Sequence, residues 1–99
     1  MAGKQIIGNQ QELNACAVRD YQAADSDLNK KYKTVMAGLS PQVQERLRVE
    51  QRRWVKQRDP GCKAEVKNSE GGSIWPLEYF GCLQGATLKR TEELSRYAK

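Results

Sequence analysis

The sequence predicts an all-α fold: a three-helix antiparallel bundle, disulfide-stapled, with a long loop between helices 2 and 3. Three observations predict it. Apolar side chains recur at helical spacing, proline and glycine mark the breaks, and cysteines fall near the expected helix ends.

In the first helix, about 10–39, Leu13, Ala17, Tyr21, Ala24, Leu28, Tyr32, Val35 and Leu39 follow one another at steps of three or four. That spacing keeps them on one face. Gly38 is a stop signal, Ser40 an N-cap and Pro41 a first-turn proline whose missing N–H costs nothing there. The second helix, about 41–59, carries Val43, Leu47, Trp54 and Val55 near one stripe, and Pro60 and Gly61 are expected to end it. So short a turn makes helices 1 and 2 an antiparallel hairpin.

Residues 60–73, "PGCKAEVKNSEGGS", read as loop by composition. Ser73 then offers an N-cap and Pro76 a first-turn proline for a third helix, about 75–97. Leu77, Phe80, Leu83, Thr87, Thr91 and Leu94 lie at helical spacing along it. Gly81 and Gly85 each cost about 1 kcal/mol relative to alanine inside a helix, which weakens the signal for its first half and leaves a start near Cys82 open. The whole chain, 1–99, makes a single domain.

Ninety-nine residues with 17 Lys and Arg against 12 Asp and Glu give a net charge of +5, which suits acidic partners without choosing among them. Histidine is absent, which removes the commonest general base and metal ligand. No nucleophile–base set or phosphate-binding glycine loop can be assembled, so the chain reads as a non-enzyme with no cofactor and no metal. Cys16, Cys62 and Cys82 fit no metal-ligand spacing, and a disulfide is the natural use for them in an exported protein. All three are expected at one end of the bundle. Any pairing is feasible; Cys62 with Cys82 is favoured, and its closure contributes about 3 kcal/mol in the chain-entropy model. No apolar run spans a bilayer, and an exported chain of this kind is expected to have shed a signal peptide.

The basic stretch "EQRRWVKQRDPGC", residues 50–62, invites a nucleic-acid reading. Its charges scatter around the helix, however, with Arg48, Arg52 and Lys56 on one flank and Arg46 and Arg53 on another beside Glu50. Trp54 points inward with Leu47, so no specific nucleic-acid partner is expected. Arg58 projects from that same inward side and needs a carboxylate, for which Asp20, Asp25 and Asp59 are candidates. We take Arg58 with Asp25 as a structural ion pair.

"ELNACA" at 12–17, "AADSDLNKKY" at 23–32, "EQRRWVKQRDPGC" at 50–62, "EGGSI" at 70–74 and "CLQGATLKRTEEL" at 82–94 occur in order along the chain. Together they resemble the motifs of the lysozyme inhibitor LprI-like family, small exported bacterial helical domains. The resemblance implies a periplasmic or secreted, disulfide-containing three-helix protein. It also implies a protein partner, lysozyme or another cell-wall hydrolase, blocked at its cleft. Members usually carry one more cysteine upstream of the position of Cys16; its absence here leaves Cys16 without a partner. Animal c-type lysozymes are basic like this chain, so a local acidic or apolar loop must make the contact. Residues 68–80 offer one, with Glu70 and Glu78 for charge and Trp75, Tyr79 and Phe80 as anchors; the competing role of those aromatics is to seal the bundle end. The alternatives are an immunity or accessory factor against a cell-wall-degrading toxin, and an envelope protein holding anionic glycan or lipid.

Overall fold

The computed structural model describes residues 2–98, with side chains over 9–97. Three helices account for most of the chain: α1 (Ala2–Ala37), α2 (Pro41–Glu65) and α3 (Trp75–Leu94). Short 3-10 turns at Lys67–Ser69 and Ser95–Ala98 follow α2 and α3, and no strand occurs among the described residues. The molecule is long and flat, 59 × 24 × 14 Å.

The α1–α2 turn is closed by its own polar groups. Gly38 and Leu39 donate back to the carbonyls of Val35 and Met36, each at 3.1 Å. Ser40 caps α2 by accepting from the Val43 N–H, and the Gln44 side chain donates to the Met36 carbonyl at 2.8 Å. Helix 1 therefore stops at Ala37, two residues before the expected limit.

Helices α1 and α2 pack through their side chains, with Leu28 and Val35 meeting Leu47 and Asp25 meeting Arg58, whereas α1 and α3 lie backbone to backbone over a longer stretch. Ala17 and Ala24 are buried on α1 and have little side chain to hold α3 away. Toward α2 the spacing is filled instead by Tyr21, Trp54 and the guanidinium of Arg58, which lies near both rings.

Two apolar clusters result. Leu28, Val35, Leu47 and Leu94 form one, flanked by Tyr32, Met36, Leu39, Trp54 and Tyr97. At the other end Cys62, Tyr79 and Leu83 form the second, with Tyr21, Val66, Trp75 and Phe80 packed around it. Leu13 and Val55, counted by periodicity among the inward residues, are half exposed.

Pro60 and Gly61 do not end α2, which continues to Glu65. Proline removes one helical N–H and crowds the carbonyl four residues back, yet Cys62, beyond it, is buried in the second cluster and joined to Cys82. Burial and the cross-link hold the last turn helical. Helix 3 starts at Trp75, without the delay to Cys82 that the two glycines left open, and has Ile74 rather than Ser73 at its N-cap. Gly81 and Gly85 are exposed within it, while Tyr79, Leu83, Thr87, Arg90 and Leu94 bury the opposite face. The packing of that face outweighs the two glycine costs.

Candidate functional site

The loop between α2 and α3 is shorter and better fastened than its composition implies. Backbone bonds run from Val66 to Cys62, Ser69 to Val66, Glu70 to Lys67, Gly72 to Ser69 and Trp75 to Gly72. Gly71 takes a positive φ of 84°, a conformation open to glycine at little cost. A Cβ on Gly72 would stand 3.2 Å from the Ser69 carbonyl oxygen, so that turn is tight as well. The Asn14 amide donates to the Ser73 carbonyl at 3.0 Å and ties the loop to α1.

Beneath the loop, Cys62 and Cys82 form a disulfide with their Cα atoms 5.7 Å apart. Cys16 is a free, exposed cysteine. It lies well inside α1, not at the start of the helix. Glu65 lies with the two bonded sulfurs within 4.8 Å. A disulfide sulfur is not a thiolate, so the trio is no metal site in the oxidised chain.

The five loop residues expected to meet a partner separate into two groups. Glu70 and Glu78 are exposed, and Ser69 Oγ hydrogen-bonds the Glu78 carboxylate. The aromatics turn toward the core. Trp75 stacks on Tyr79 with ring centroids 4.6 Å apart, and Phe80 sets its ring edgewise to Tyr79 at 5.2 Å and faces Tyr21 at 6.0 Å. Tyr79 is only 7% exposed and has no surface to offer a partner in this conformation. Trp75 and Phe80 are half-buried. A hollow of about 540 Å³ opens beside this stack, lined by Glu65, Val66, Asn68, Ser69, Glu78 and Cys82. Its lining holds two carboxylates and no cation, on a chain of net charge +5.

Arg58 ties the second cluster to α1. Its Nε donates to Asp59 Oδ1 at 2.9 Å and its Nη1 to Asp25 Oδ1 at 3.3 Å. Its guanidinium carbon lies 5.2 Å from the Tyr21 ring centre and 5.3 Å from that of Trp54, within cation–π range. Burial disfavours the charge, but the hydrogen bonds and field of Asp59, with help from Tyr21 and Asp25, outweigh it and raise the Arg58 pKa. Asp20, the third candidate, is exposed and makes no ion pair with Arg58.

A second buried arginine escaped the sequence reading. Arg90 donates from Nε to Gln51 Oε1 at 2.9 Å and from Nη1 to Glu93 at 3.3 Å, and its Nη2 stands 3.9 Å from Glu50. Tyr97 donates its hydroxyl to Glu50 at 2.7 Å. The stripe Leu83, Thr87, Arg90, Leu94 has steps of four, three and four, so the spacing marked position 90 although its charge argued against burial.

Tyrosine ionisation gives this packing a pH signature. Burial pushes the Tyr21 and Tyr79 pKa values above 10.0, and the bond to Glu50 does the same for Tyr97. A raised native pKa means that the folded chain holds the proton longer than the unfolded one. Stability is therefore complete below pH about 10 and falls as pH climbs through the native values. Thermal melts across the alkaline range should show this decline, and Tyr21→Phe should flatten it.

Fold and loop together define a small, all-helical, disulfide-closed domain with an acidic hollow beside the α2–α3 loop. The chain belongs to the LprI family: the family model described as "Lysozyme inhibitor LprI" matches residues 1–94. It is also similar to an uncharacterized protein of Rhizobium meliloti (strain 1021), 37% identical over an alignment that covers 87% of this chain and 71% of the relative. No solved structure matches it.

Proposed function

We propose that this protein is an exported, non-enzymatic inhibitor that occludes the cleft of a basic, lysozyme-type cell-wall hydrolase. The observation that carries the reading is the cation-free hollow lined by Glu65 and Glu78, with Glu70 exposed on the adjoining turn, in a chain whose family model bears the inhibitor description. A basic enzyme is repelled by the net charge of this protein at long range, so the encounter depends on a local patch of opposite sign. Glu65, Glu70 and Glu78 supply that patch. Trp75, Tyr79 and Phe80 act one layer below, holding the first turns of α3 at a fixed angle; the exposed edges of Trp75 and Phe80 add apolar contact at the rim. Export to the periplasm or beyond suits the disulfide. No helix among the described residues is long and apolar enough to cross a membrane.

Titration against a c-type lysozyme in a cell-wall lysis assay at physiological salt tests the reading, with a bacterial wall-degrading toxin as a second enzyme. Stoichiometric loss of lysis is the expected result. Glu65→Lys with Glu78→Lys should weaken inhibition about tenfold or more, since reversing a close interfacial charge typically costs more than about 1.4 kcal/mol. Both side chains are exposed, so the melting temperature should fall by only a few degrees, through the lost Ser69–Glu78 bond and a cation in the first turn of α3. Undiminished lysis at large excess rejects inhibition of that enzyme class.

A further inference from the structure

The hollow at the loop is not the only shaped surface. Between α1 and α2, away from the Glu65–Glu78 face, runs a groove of about 420 Å³. Its α2 wall presents Arg48, Arg52 and Lys56, and its α1 wall Asn29 and Tyr32, with Gln51 and Val55 between them. The lining has three cations and no carboxylate.

The cations are spaced i, i+4, i+8, which sets neighbours about 6 Å apart along the helix axis. Arg48 is engaged by Glu45 at 3.0 Å. Arg52 and Lys56 are exposed and make no ion pair among the described residues. Gln51 is buried, and its carboxamide oxygen already accepts from Arg90 Nε, which leaves its NH2 as the group with bonds to give. Val55 is 46% exposed although apolar, and Tyr32 is half-buried beside it in the lining.

We propose that this groove binds a short stretch of an anionic glycan, with sugar carboxylates on Arg52 and Lys56 and a sugar-ring face over Val55 and Tyr32. The guanidinium fork of Arg52 matches a carboxylate in two parallel bonds, and Lys56 adds a point charge one turn further on. The apolar pair suits the C–H face of a pyranose, and Asn29 and the Gln51 amide suit its hydroxyls. Single-stranded nucleic acid is the poorer fit, because it needs a run of free aromatic faces and the groove has one half-buried ring. A lipid surface needs large apolar groups on a projecting face to insert, whereas the apolar members here are one valine and one half-buried tyrosine. The site shares no residue with the proposed enzyme-binding face, so either can fail without the other.

The test is calorimetric titration of the full chain with tetragalacturonate, beside a neutral maltooligosaccharide of equal length and an oligothymidylate of equal charge. One-to-one binding to the uronate, weakened by added salt and absent with the neutral sugar, is the expected result. Arg52→Ala with Lys56→Ala should lower affinity about tenfold or more, as the loss of charge-assisted bonds requires. Arg46→Ala with Arg53→Ala removes the same charge from exposed positions outside the groove and should change affinity less than about twofold. Equal losses from the two double variants would reduce the binding to net charge and overturn the site. So would tighter binding of the oligothymidylate, equal binding of the neutral sugar, or no binding at all.

Discussion

Arg58→Met should destabilise the domain by about 3 kcal/mol, near the lower end of what breaking a buried ion pair costs. The side chain is 9% exposed and serves two carboxylates and two aromatic rings at once. Asp25 and Asp59 keep 38% and 51% of their side-chain surface, so water takes up part of their charge and the loss stops short of the fully buried case. Most of the cost comes from the cation leaving the space between Tyr21 and Trp54. Arg58→Lys keeps the charge but lacks the planar fork that reaches both aspartates, and should fall between wild type and Arg58→Met. Asp25→Asn, which spares the Asp59 bond, should cost about 1 kcal/mol or less. Urea denaturation of the three variants checks the order. If Arg58→Met proves as stable as wild type, the junction contributes shape and not energy.

Leu47→Ala should cost about 3 to 4 kcal/mol, within the range for a fully enclosed leucine. Leu47 is 0% exposed and sits in the cluster where Leu28 and Val35 of α1 meet Leu94 of α3. The loss is large for a reason specific to this bundle. The disulfide, the Arg58 junction and Trp54 hold α2 at a fixed distance from its neighbours, so the helices cannot close over the void. Val49→Ala on the same helix, at a half-exposed position, should cost about 0.5 kcal/mol or less. Thermal melts of the two variants separate a core effect from a helix-propensity effect.

Much of this fold was legible because each helix carries its own periodic stripe. Leu28, Val35, Leu47, Leu83 and Leu94 were all placed inward by spacing and are buried. Arg58 was legible too, since a charge on an inward face must find a partner, and Asp25 and Asp59 stood within reach. Neighbour relations were less so. A short turn between α1 and α2 makes them sequential, but the small side chains of Ala17 and Ala24 decide which helix comes closest, and that depends on the whole assembly. The extension of α2 past Pro60 was hidden for a similar reason: a local rule about proline was overruled by the burial of Cys62. In the loop, aromatic content signalled an anchor for a partner. The same rings were needed to close the second cluster, and composition alone does not divide one use from the other.

The Cys62–Cys82 bond encloses the 3-10 turn, Gly71, Gly72 and the first two turns of α3 in one covalent ring. A single peptide cut anywhere between residues 62 and 82 therefore releases no fragment. The nicked chain gains the mass of one water and remains one molecule; where the cut falls between Glu65 and Glu78, the two stay tethered through sulfur. Damage to this loop is retained as a scar rather than suffered as a loss.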